Sequence, residues 1–234
     1  MKKIMWFTAM LPVIITSIVL QFMPDTIPMH YDLAGNIDRW GSKMEEFIFP
    51  IIILFITFFW HLMIRAFEKK AMKAETEKEQ MEAGSNAKLL CIVGLSQAIM
   101  FGIMHCFSLY SSYMEANTGS TRAVIDIAKV SCILCGTMFI VIGNYLTKSR
   151  INSTVGLRTV WSMYNDTTWR KSNRICAISL MAAGLLTIVT TVFASGAVST
   201  VLLLVYILLA TIVSCVYSKK VYDQEINKEN KKEV

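Results

Sequence analysis

His30, Asp32 and Asp38 lie within nine residues of one another, with Asp25 just upstream. An imidazole and carboxylates so close in sequence could hold a divalent cation. His-x-Asp without a second nearby histidine is a weak metal signature, and an exposed polar loop holds the same residues, so no metal is expected. Cys132 and Cys135 form a CxxC pair, the spacing of thiol–disulfide chemistry. They sit in an apolar run, where small-residue packing is the better reading. Asp126 and Lys129 are ionisable groups near one end of that run, three residues apart. His61 and His105 are read as lying near the ends of their runs. No Gly-rich phosphate loop, HExxH or GxSxG with triad partners occurs. The chain is read as a non-enzyme with no cofactor and no catalytic residue.

The stretch Gly143–Arg174 differs in kind: GNYLTKSRINSTVGLRTVWSMYNDTTWRKSNR. It is basic, polar and aromatic. Trp161, Tyr164 and Trp169 suit a membrane–water interface. Gly156-Leu157 gives a flexible approach to Arg158, whose guanidinium could meet a carboxylate or phosphate. Asp166 is the expected N-cap of a short helix running to Arg174. By residue type, a lipid-headgroup anchor and a partner-docking surface are equally supported.

These candidates sit between apolar runs. The 234-residue chain is 54% apolar and only 17% charged, against about 25% charged in soluble domains. Apolar runs of 18 or more residues can span a bilayer. Six spans are expected: Ile4–Met23, Phe47–Arg65, Lys88–Ser111, Ala123–Leu146, Ile175–Ala194 and Ser199–Ser218. Residues 24–46 read as a turn-rich loop. A charged helix continues the second span, with Lys73 facing Glu77, until Gly84-Ser85-Asn86 breaks it. Gly94, Ala98 and Gly102 recur every four residues, a spacing that lets helices approach closely; internal packing is favoured over dimerisation. Ser112–Arg122 reads as a short loop. The six cysteines all fall in or beside apolar runs, which is no secreted disulfide framework.

Nineteen of the 23 Lys and Arg lie at the N-terminus, between the second and third spans, in the 143–174 insert with its flanks, or in the tail. The positive-inside rule then places both termini and the insert in the cytoplasm and residues 24–46 outside. The net charge of +6 is thereby accounted for by orientation in the bilayer, and no direct nucleic-acid partner is expected.

Two stretches carry a family likeness. PDTIPMHYDLAGNIDRWGSK, Pro24 to Lys43, resembles the P..IP.H....G..D.....K pattern of the DUF1648 membrane module. The insert resembles the SdpI family of bacterial immunity proteins at Gly143, Asn144, Lys148, Asn152, Gly156, Arg158, Thr159, Trp161, Trp169 and Arg174. It departs at Asn173, where the family pattern has histidine. The resemblance implies an all-α, six-transmembrane-helix bundle of the bacterial cytoplasmic membrane: a DUF1648-like module (1–66), a charged connector (67–87), an SdpI-like four-span module (88–218) and a charged tail (219–234). It implies immunity to a secreted peptide toxin, with a cytoplasmic repressor held at the membrane. His30, Asp32, Gly35, Asp38 and Lys43 would then serve toxin recognition. Asn144, Asn152, Gly156, Arg158, Thr159, Trp161, Trp169 and Arg174 would serve docking of the inner partner. The alternative is a transporter or exporter of a peptide or small molecule, against which the scarcity of mid-span charge counts.

Overall fold

The computed structural model describes residues 1–32, 34–147, 151 and 155–231. Six helices form the body: α1 (Lys2–Val19), α2 (Ile48–Met72), α3 (Glu77–Thr118), α4 (Ile127–Leu146), α5 (Asp166–Phe193) and α6 (Gly196–Asn230). All six are long and apolar enough to cross a membrane. Their exposed faces carry large apolar side chains such as Phe7, Phe55, Leu186 and Leu204, as expected where hydrocarbon is the solvent.

Helix α3 lies between two groups. Helices α1 and α2 pack on it from one side and α4 from the other, and α5 and α6 pack against α4. Small residues set the closest contacts. A Cβ on Gly136 of α4 would stand 2.7 Å from the Gly184 carbonyl oxygen of α5, so only glycine permits that approach. Gly94 abuts Met5 and Trp60, and Ala98 is buried with Ala9 and Ile53. The four-residue stripe on α3 thus serves internal packing.

Several boundaries differ from the sequence reading. Helix α2 stops at Met72, and Thr76 caps α3 by accepting the Glu79 N–H, so Lys73 and Glu77 are not paired on one helix. Helix α3 runs through Gly84-Ser85-Asn86 because Ala83, Asn86 and Ala87 are buried; that packing outweighs a glycine cost of about 1 kcal/mol. It also continues past Ser112 to Thr118, ending at Gly119 in the left-handed conformation, φ 64°, whose N–H reaches the Glu115 carbonyl. Residues 24–46 are not only turns: β1 (Thr26–Tyr31) and β2 (Ile37–Ser42) pair antiparallel, with irregular register around His30.

Candidate functional site

The β1–β2 hairpin sits over the end of the bundle formed by the C-terminus of α3. Its inner strand supplies Ile27, fully buried with Leu20, Met23 and Leu109. Its outer strand is exposed at Asp38, Arg39 and Trp40. The fixing point is Glu115, with no exposed surface. Its carboxylate accepts hydrogen bonds from the Tyr31 hydroxyl (2.7 Å), the Ser111 hydroxyl (2.5 Å) and the Val124 N–H (2.7 Å). A buried carboxylate needs such donors to offset its desolvation. Burial first, and then Glu115, push the Tyr31 phenol above its ordinary value. Ser112 is buried beside Pro28 and Glu46.

The α3–α4 loop completes this unit. Ile37 N–H donates to Thr121 and Ala123 N–H donates to Gly35, a bridge along the hairpin edge away from β1. Gly35 has φ 79°, a conformation that glycine adopts without strain. The Asp32 carboxylate accepts from Ala34 N–H, Asn36 N–H and the Asn36 amide, and the Asn36 bonds hold it below the usual carboxylate range. Asp32 is therefore a turn-forming residue. His30 pairs with Asp38 at 2.6 Å, and Lys43 pairs with Asp25 at 3.0 Å. Among the described residues no three His, Cys, Asp or Glu side chains converge as a metal site would require.

At the opposite end, the insert folds back onto α5 and α6. Asn165, not Asp166, caps α5, accepting the N–H groups of Thr167 and Thr168. Asn173 is buried, and its Oδ1 accepts the Leu157 N–H at 2.7 Å. Gly156, at φ 118°, lies so close that a Cβ there would meet Asn173 Oδ1 at 2.5 Å and the Trp169 ring at 2.9 Å. Thr159 and Ser172 both reach the Ser218 hydroxyl of α6, at 3.2 and 3.1 Å. Ser162 Oγ donates to the Leu157 carbonyl and accepts from Thr159 N–H. This network holds the backbone of residues 156–162 while Arg158 and Val160 face out, Val160 being 82% exposed. Lys219 stands 6.0 Å over the Trp161 ring. The Tyr164 hydroxyl donates to Glu229, a bond that raises its pKa.

Residues 148–218 match the SdpI/YfhL protein family, and residues 7–54 match DUF1648, a domain of unknown function. The two matched segments lie one after the other along the chain, without overlap. Over 212 residues, covering 89% of each chain, it is 26% identical to "Immunity protein SdpI" of Bacillus subtilis (strain 168). No solved structure matches. With its six spanning helices, the chain is a multi-pass protein of the cell membrane.

The residues that resemble the SdpI pattern separate into two sets. Trp169, 1% exposed, together with Gly156 and the partly buried Thr159, builds the insert from beneath. Trp169 thus packs in the interior and not at an interface. Arg158, Arg174 and Asn144 are exposed, and Trp161 is partly so. Asn152 and Lys148 lie outside the described residues. The DUF1648 region contributes α1, the hairpin and the start of α2; its partners Ser111, Ser112, Glu115 and Val124 fall outside both matched segments. Sequence reading missed them because Glu115 falls within the Ser112–Arg122 stretch that reads as a loop, where charge is ordinary.

Cys132 contacts Thr200 of α6, whereas Cys135 contacts Met100 of α3, so the two thiols serve separate helix-packing contacts, in line with the packing reading. One further reading is corrected. His105 is not at a span end in an open setting: it is 1% exposed, its Nε2 is 2.7 Å from the Thr16 hydroxyl, and Phe49 stacks obliquely beside it. Thr16 donates to the Pro12 carbonyl, so the histidine nitrogen is the donor in that pair.

Proposed function

We propose that this chain is an immunity protein that protects its bacterial cell from a secreted peptide toxin. The likeness to Immunity protein SdpI along 89% of both chains carries the reading. In it, both termini and the insert face the cytoplasm, following the charge bias, and the hairpin faces out. The hairpin's open face, with His30, Asp38 and Trp40, receives the peptide, and the partly buried Lys43, held by Asp25 and the Met23 carbonyl, supports it from the end of β2. Asp32 and Gly35 shape that face through the turn. On the inner side, Arg158, Trp161, Arg174 and Asn144 form the surface for a cytoplasmic repressor, and Gly156, Thr159 and Trp169 hold it in shape. No catalytic step is involved.

Expression in toxin-sensitive cells tests this. Wild type is expected to restore growth in the presence of a cognate secreted peptide. Arg158→Ala and Trp161→Ala variants at normal abundance are expected to impair the inner function. Failure of wild type to protect against any such peptide refutes immunity. Full function of both variants refutes the inner-surface assignment alone.

A further inference from the structure

Helices α1 and α3 enclose a groove that opens sideways on the bundle surface. One cavity of about 490 Å³ is lined by residues including Thr8, Leu11, Pro12, Gly102 and Phe107. A second, of about 300 Å³, continues it toward the hairpin through the shared Ile15, Cys106 and Tyr110 and ends at Phe22 and Tyr113. Among the described residues no charged side chain lines either cavity. Gly102 lies on its floor beside Pro12, where a Cβ would stand 3.5 Å from the proline ring, in ordinary contact.

We propose that this groove binds one acyl chain of a membrane phospholipid from the leaflet on the hairpin side. Its rim residues Leu11, Ile99, Ile103 and Phe107 are between 37% and 44% exposed and continuous with the bilayer-facing surface of the spans. Acyl chains are therefore the medium at its mouth, and an empty apolar void would forfeit dispersion contacts on both sides. From residue 8 to 22 on α1, and from 99 to 113 on α3, the groove is about 21 Å long at 1.5 Å per residue. That exceeds half of a hydrocarbon core of about 30 Å, so a chain entering from one leaflet is accommodated along its length. Tyr110 and Tyr113 stand at the hairpin end, where aromatic residues seat at headgroup level. The core beneath the hairpin shares Ile15, Val19, Leu109 and Tyr113 with the groove. The bound chain thus becomes part of the hairpin's support.

The full-length protein in phosphatidylethanolamine–phosphatidylglycerol vesicles, doped with phosphatidylglycerol bearing a diazirine in its acyl chain, provides the test. Photo-adducts are expected to concentrate on residues 99–113 over Val201, Leu204 and Leu208 of α6, which are more exposed to lipid than the groove rim. Gly102→Phe and, separately, Cys106→Phe are expected to abolish that excess while α6 adducts persist, which also reports that the fold survives. Equal labelling of the groove and α6 in wild type overturns the proposal, as does an excess that survives both variants. A Cys106–Cys106 cross-link between copies, without groove adducts, would overturn it in favour of a second copy covering the groove.

Discussion

Asn173 Oδ1 accepts the backbone N–H of Leu157 at 2.7 Å, tying the insert to the first turns of α5. Asn173 is 1% exposed, and its own amide donates to the Trp169 carbonyl. The position where the chain departs from the SdpI pattern is thus the one that holds the insert in place. Losing the acceptor leaves a shielded N–H without a partner, at a cost of about 1–3 kcal/mol. Asn173→Leu is expected to lower thermal stability in detergent by that amount and to open the insert to trypsin at Arg158. Asn173→His keeps a nitrogen acceptor and is expected to cost less. Equal effects of the two substitutions would show that packing, not the hydrogen bond, holds the insert.

Tyr31 and Glu115 couple the hairpin to α3 in a pH-dependent way. The folded phenol titrates above its ordinary value, raised by burial and by the adjacent carboxylate. A raised folded value stabilises the fold below the ordinary value of about 10, and the contribution is lost as pH climbs beyond it. Thermal unfolding of wild type is therefore expected to fall off above about pH 10. Tyr31→Phe should start lower, having lost a hydrogen bond to a charged acceptor worth about 1.5–3 kcal/mol, and should show a shallower alkaline decline. Parallel pH curves for the two proteins would remove Tyr31 from the account.

Asp126 joins the two α4–α6 ends. Its Oδ1 accepts from Lys129 N–H at 3.0 Å, and its Oδ2 from Gly196 N–H at 2.9 Å, so one carboxylate serves two helix N-termini. It caps α4 from the residue before the helix, and a carboxylate is favourable at the positive, N-terminal end of each of the two helix dipoles. Asp126→Ala is expected to destabilise by about 1–2 kcal/mol. Gly196→Ala would push a Cβ into the same carboxylate. The double substitution should cost less than the two single effects together, since both damage one contact. Additive costs, measured by thermal unfolding, would contradict the shared-cap role.

The spans were legible because their signal is long and one-dimensional. The uncharged run Ile175–Ser218, for example, divides only at the Ser195-Gly196 turn. What stayed hidden depends on contacts distant in sequence. The α3 extension through Gly84 and past Ser112 follows from burial of Ala83, Asn86 and Glu115, which local propensity does not encode. The hairpin was obscured by Pro28 and by the register irregularity around His30, which break the alternation that marks a strand. In the insert, the aromatic and basic types were visible. The division between supporting Trp169 and outward Arg158 needed the folded chain, because a tryptophan near a membrane surface reads the same whether it faces in or out.

The central claim is that the hairpin's open face confers immunity. The direct measurement is survival of toxin-sensitive cells exposed to the secreted peptide while expressing wild type or an Asp38→Ala/Trp40→Ala variant at matched membrane abundance. Both side chains are exposed on β2, away from the Glu115 contacts that hold the hairpin. Protection by wild type and its loss in the variant is the predicted result. Full protection by the variant would contradict the account.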